Sequence, residues 1–200
     1  TIDEYLRYII PGGTTTIVTE TLELYPVGGL DAVQEFLGSL EEQPIKILAT
    51  APAMVSISRK AGHMPIQDLK RLFSNNTVVG LGESYWQSVL QQPDILLPRF
   101  DETLKSGKIL EGHSAGASDK KLNAYIATGI TSCHEPIKAD EVIQRLRLGI
   151  HVMAREGSIR RDLKEIAKIS KTQMDLRRLI LVTDGIHPED LMEKGYMEYV

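Results

Sequence analysis

Apolar and polar positions follow a repeating cycle along this chain: a short β-branched run, a turn, then a stretch of helical period. Residues 2–10 open the chain with apolar side chains at Ile2, Tyr5, Leu6, Ile9 and Ile10, a helical spacing that Pro11-Gly12-Gly13 brings to an end. The run TTTIVT at 14–19 predicts the first strand, and helical spacing resumes over 30–40. A strand at 45–50 and a short helix at 65–73 come next. The strand at 78–81 leads into Glu83, and a helical segment over 86–104 is interrupted by Pro93 and Pro98. Residues 108–110 lead to His113, and a helix over 118–127 follows with Ser118 or Ser114 as its cap. Residues 130–133 lead to His134 before a helix at 139–148. A strand at 150–154 ends at Arg155-Glu156-Gly157-Ser158, and helical period continues over 159–174. The strand at 179–183 leads to Asp184, and Pro188 starts a last helix over 188–194.

The pattern yields seven strands, each followed by a helix or helix-like segment, with one helix in front. A (β/α)8 barrel has eight strands. The expected fold is therefore α/β, an incomplete TIM barrel over 1–200 holding strands 2 to 8, with its first strand upstream of Thr1. An open flavodoxin-like sheet has five or six strands and fits less well. The chain starts without methionine, and both ends read as cut from something longer. An incomplete barrel exposes sheet edges, so self-association into a homo-oligomer is expected.

A parallel sheet built this way points the carboxyl ends of its strands at one face, where ligands bind. Glu83, His113, His134 and Asp184 are all expected at that face. Carboxylate and imidazole delivered by different strands form the usual shell of a hydrolytic metal site. Gly80-Leu81-Gly82 lets the backbone bring Glu83 close to an ion, and two carboxylate oxygens can bridge two cations. Neutral imidazole suits zinc or manganese, and Asp184 can ligate a metal or accept a proton from its water. Each residue also has a plainer reading: a surface glutamate, hydrogen-bonded structural histidines, an N-cap for the last helix. Arg155, Glu156 and Ser158 read as a substrate-contacting loop or as the cap of the following helix. His63 and His151 lack such a context.

Composition narrows the class. The net charge of -4 over 200 residues gives no broad electrostatic reason to bind nucleic acid or an acidic membrane. Arg160, Arg161 and Lys164, like Arg177 and Arg178, are interrupted by acidic residues and read as a solvated helix face. The single cysteine, Cys133, excludes an internal disulfide and a thiolate-rich zinc cluster, and its apolar setting reads as core. No apolar run reaches a membrane span and no signal peptide opens the chain, so a cytoplasmic location is the default expectation.

Three long segments then carry a family resemblance: GHSAGASDKKLNAYIATGI, SCHEPIKADEVIQRLRLGIHVMAREGSIRRDL and LVTDGIHPEDLMEKGYMEYV. They resemble the central and later barrel of adenine deaminases, members of the amidohydrolase superfamily, and Gly13-Thr14-Thr15-Thr16 with Gly80-Leu81-Gly82-Glu83 fits the same pattern. The resemblance implies a barrel of the metal-dependent hydrolase type and conversion of adenine to hypoxanthine and ammonia, as part of purine metabolism. It implies a binuclear centre of divalent transition metal (manganese, iron or zinc) in the parent protein. Glu83 would be shared between the metals, His113 and His134 would be ligands, and Asp184 would stand beside the hydrolytic water. A carboxylate would carry the proton to the departing ammonia, with Glu135 the catalytic candidate beside Asp184. Glu135 and Ser158 would lie close enough to contact the purine or related ring.

The chain departs from the family in three places. The His-x-His pair of the first strand is absent, so this piece is expected to be inactive alone. Glu20-Thr21-Leu22-Glu23 stands where the family has Asp-Pro-His-Glu, and Gly185 follows Asp184 where a second aspartate is common. The family's β-sandwich and C-terminal domain are also missing. Two alternatives remain open: hydrolysis of another cyclic amide or amidine, and a non-catalytic barrel relic.

Overall fold

The computed structural model describes residues 1–53 and 63–200. After α1 (Ile2–Ile9), strands and helices alternate as β1 (Thr16–Thr19), α2 (Leu24–Ser39), β2 (Lys46–Ala51), α3 (Ile66–Phe73) and β3 (Val78–Tyr85). The chain continues through α4 (Trp86–Gln91), α5 (Pro93–Lys105), β4 (Ile109–His113), α6 (Asp119–Ile126), β5 (Ser132–Cys133) and α7 (Ala139–Arg147). It ends with β6 (His151–Arg155), α8 (Leu163–Ile166), a 3-10 turn (Ala167–Lys171), β7 (Leu179–Val182) and α9 (Pro188–Lys194). Among the described residues, seven parallel strands alternating with helices are those of an incomplete (β/α)8 barrel, the class the sequence predicts.

The described residues fall into two compact units, 16–131 and 1–15 with 132–200. In the first, β1 to β4 pair in chain order and in parallel, with Thr16 opposite Lys46 and Ala51 opposite Leu81. Strand β3 is buried nearly throughout, as in a parallel sheet covered on both faces. Leu69, Leu72, Leu96, Phe100 and Leu122 from α3, α5 and α6 contribute to the core of this unit. In the second unit β6 pairs with β5 and β7, again in parallel. Val142, Leu146, Ile166 and Ile169 are buried there, and so is Cys133, the core reading the sequence suggested. No helix among the described residues is long and apolar enough to cross a membrane.

Some boundaries differ from expectation. Gln92 and Pro93 split the 86–104 segment into α4 and α5, with Pro93 in the first turn of α5, whereas Pro98 lies inside α5 without ending it. A single helix over 159–174 does not form. The Asp162 N–H bonds the Arg155 carbonyl and the Glu156 carboxylate accepts from the Leu163 N–H, so the chain first turns back and α8 starts only at Leu163.

Candidate functional site

Glu83 lies within β3 and His113 is the last residue of β4, so both are presented by strand rather than by the loops beyond. Gly82 and Glu83 together face Glu111 alone, since Leu81 pairs with Leu110 and Ser84 with Gly112. That bulge re-aims the side chain at position 83. The Glu83 carboxylate meets His113 Nδ1 directly. Tyr85 stacks against the same imidazole, ring centroids 4.2 Å apart. Tyr125, fully buried on α6, fixes the spacing of the two strands. Its hydroxyl accepts from the His113 N–H at 2.9 Å and donates to the Ser84 carbonyl. The imidazole is thus tied at both its backbone and its ring.

A second carboxyl group sits behind Glu83. Glu20, directly after β1, accepts the Glu83 N–H through Oε1 at 3.1 Å. Its Oε2 and the Thr50 hydroxyl oxygen are buried without a hydrogen-bond partner among the described residues. Burial first, and then the charge of Glu111, push the Glu20 carboxyl up to about 8.

In the other unit, His134 follows β5 immediately, and its Nδ1 lies 3.2 Å from Glu135 Oε1. The same oxygen accepts the His134 backbone N–H at 3.2 Å, so one buried carboxylate meets both the main chain and the ring of His134. Asp184 stands two residues past β7 with a left-handed backbone (φ 57°), a conformation aspartate tolerates better than most residues. Buried Arg155, at the end of β6, binds Asp184 Oδ2 at 3.3 Å and Asp162 Oδ2 at 3.1 Å. Asp184 does not cap the last helix, whose N-cap is His187. Ser158 caps neither neighbour: its hydroxyl accepts the His187 N–H at 2.8 Å and its N–H donates to the Gly185 carbonyl. Gly157 permits this docking, since a Cβ there would fall 2.6 Å from the Gly185 carbonyl oxygen.

Each unit therefore pairs its predicted histidine with a carboxylate: His113 with Glu83, and His134 with Glu135. Asp184 is instead held by Arg155. Carboxylate and imidazole, which each unit brings together, are donors that a divalent transition cation takes. Sequence reasoning missed Glu20, Tyr125 and Asp162 as supports. Glu20 carries the same signal as the predicted ligands, a carboxylate directly after a β-branched run, and that signal could have found it. Tyr125 acts on a strand 41 residues away and Asp162 across a turn back to Arg155, neither of which a local pattern reveals.

No family model matches the chain. Similarity to curated proteins nevertheless extends over nearly all of it. An adenine deaminase of Cenarchaeum symbiosum is 35% identical over 192 residues, covering 94% of this chain and 32% of that protein. Adenine deaminases of Clostridium botulinum and Moorella thermoacetica are 32% and 34% identical, covering 100% of this chain and 34% and 35% of theirs. The resemblance read from the three sequence segments is borne out, and the chain spans about a third of the length of the curated relatives it matches.

Proposed function

We propose, from its similarity to adenine deaminases, that this chain supplies strands and metal donors to an enzyme that hydrolyses adenine to hypoxanthine and ammonia. The observation that carries the reading is the direct pairing of the Glu83 carboxylate with the His113 imidazole, on a chain similar throughout to proteins of that name. In this reading Glu83, His113 and His134 hold divalent cation, with manganese, iron or zinc as candidates. Asp184 serves as a further ligand. The chain's five histidines include no His-x-His pair, so a binuclear centre would need imidazoles from the parent protein. The cation, when bound, supplies Lewis acidity that brings a water's pKa toward neutrality.

The remaining work falls to the chain's own groups. Asp184, anchored by Arg155, accepts the proton from the attacking water. Glu135, buried against His134, carries a proton to the departing amino group. The C–N bond at the ring carbon then breaks, and ammonia leaves as the ring gains oxygen. Arg155, Glu156 and Ser158 shape the loop that approaches the purine. Arg155 acts chiefly through Asp184, because its guanidinium already holds two carboxylates.

Ammonia release from adenine by the purified parent protein, supplied in turn with manganese, iron and zinc, tests this directly. Stoichiometric ammonia and hypoxanthine are expected, and residues 1–200 alone are expected to yield neither. No ammonia from adenine under any metal would refute the adenine assignment. Leu22, in place of the histidine of the family pattern, favours one further arm: activity on a hydantoin or lactam but not adenine would shift the substrate to another cyclic amide.

A further inference from the structure

Glu83 sits in a bulge of the strand ladder between β3 and β4. The β2–β3 pairing ends at Ala51 and Leu81, two residues earlier, and the β3–β4 register shifts across Gly82 and Glu83. Turning of the peptide at such a bulge would swing the carboxylate away from His113. A group directly after β1, two strands away, reaches this bulge: the Glu20 carboxyl accepts the Glu83 N–H at 3.1 Å.

Gly82 makes this contact possible. Its φ is not in the left-handed region, so glycine is not needed there for backbone conformation. Space is the reason instead. A Cβ on residue 82 would fall 2.8 Å from the Glu20 carboxyl carbon and collide with its oxygens. The missing side chain at 82 and the carboxyl at 20 are two halves of one fit.

We infer that Glu20 is a positioning residue, docked in the space left by Gly82, which fixes the Glu83 peptide and so aims the Glu83 carboxylate at its cation. The inference rests on the proposed metal role of Glu83. Groups that orient metal ligands commonly change metal affinity by about 10- to 100-fold when removed.

The test uses the parent protein carrying Glu20→Ala, Glu20→Gln, Gly82→Ala or the double change Glu20→Ala with Gly82→Ala. Two quantities are read: amide hydrogen exchange at Glu83 in metal-free protein, and manganese affinity by titration. Glu20→Ala is expected to speed Glu83 exchange about tenfold, the equivalent of one lost hydrogen bond. It is also expected to weaken manganese binding about 10- to 100-fold. Glu20→Gln keeps an acceptor oxygen and is expected to restore both. Gly82→Ala is expected to mimic Glu20→Ala, because the new methyl expels the carboxyl. The double variant is expected to be no worse than Glu20→Ala, because the methyl then has room.

Unchanged Glu83 exchange in Glu20→Ala would overturn the inference. So would a Gln variant as impaired as Ala, or additive losses in the double variant. If the wild-type protein takes up no manganese, the metal reading fails, while exchange in the metal-free protein still decides whether Glu20 holds the Glu83 peptide.

Discussion

Arg155 binds two aspartates with one guanidinium, and at the residue scale this is the most consequential charge in the second unit. It is buried, its contact with Asp162 is nearly so, and its contact with Asp184 reaches the more open side of the loop. Removing it leaves two carboxylates without their counter-charge, which is costlier than the pair was worth. Arg155→Met is expected to lower stability by about 3 kcal/mol in urea denaturation and to abolish ammonia release. Arg155→Lys is expected to recover little of either, because one ammonium cannot reproduce the planar fork. Stability and activity unchanged in Arg155→Met would show that the clamp does nothing. Glu83, His113, His134 and Asp184 stood out in the sequence as candidates because each follows a β-branched run. What holds them was not: Arg155 read as a substrate-contacting residue, and nothing local says that its partners lie 7 and 29 residues away.

At the scale of elements, the periodicity carried most of the information. The last helix begins at Pro188 and ends at Lys194 as predicted, and helix α3 differs from expectation by one residue. Expectation failed where tertiary hydrogen bonds outweigh local period, as in the loop that delays α8. Helix α2 is a related case. It begins at Leu24, but Gly29 kinks it with φ 65° and ψ -154°, so the helical spacing read over 30–40 describes its regular part. The short first part is tied down by Tyr25, whose hydroxyl donates to Asp68 Oδ2 on α3 at 3.0 Å. Burial, and then the bond to Asp68, push the Tyr25 phenol up to about 12. Its folded value lies above its usual one, so the stabilisation is complete below about pH 10 and is lost as pH rises toward 12. Tyr25→Phe is expected to remove the part of the alkaline stability loss that falls in this window, measured by thermal melting at stepped pH. An identical alkaline slope in wild type and variant would contradict the tether.

For the whole molecule, the class was legible because strand and helix periods alternate without interruption. The division of the described residues into two compact units was not, since contact density leaves no mark on the hydrophobic pattern. Among the described residues, β1 pairs with β2 alone and β7 with β6 alone. Val18 on β1 is 56% exposed, and Ile180 and Leu181 on β7 are 42% and 43% exposed. Unpaired strand edges carrying apolar side chains attract further strands. Residues 1–200 produced alone are therefore expected to self-associate in light scattering, and a stable monomer would count against that.

The central claim is that strand-borne carboxylate and imidazole groups hold a catalytic cation, and metal content after supplementation tests it most directly. Measured by plasma mass spectrometry on the parent protein, at least one equivalent of manganese, iron or zinc is expected. That metal is expected to fall away in Glu83→Ala, His113→Ala and His134→Ala. Less than one equivalent in the wild type, or full retention in all three variants, would contradict the account and leave a barrel relic without a metal site.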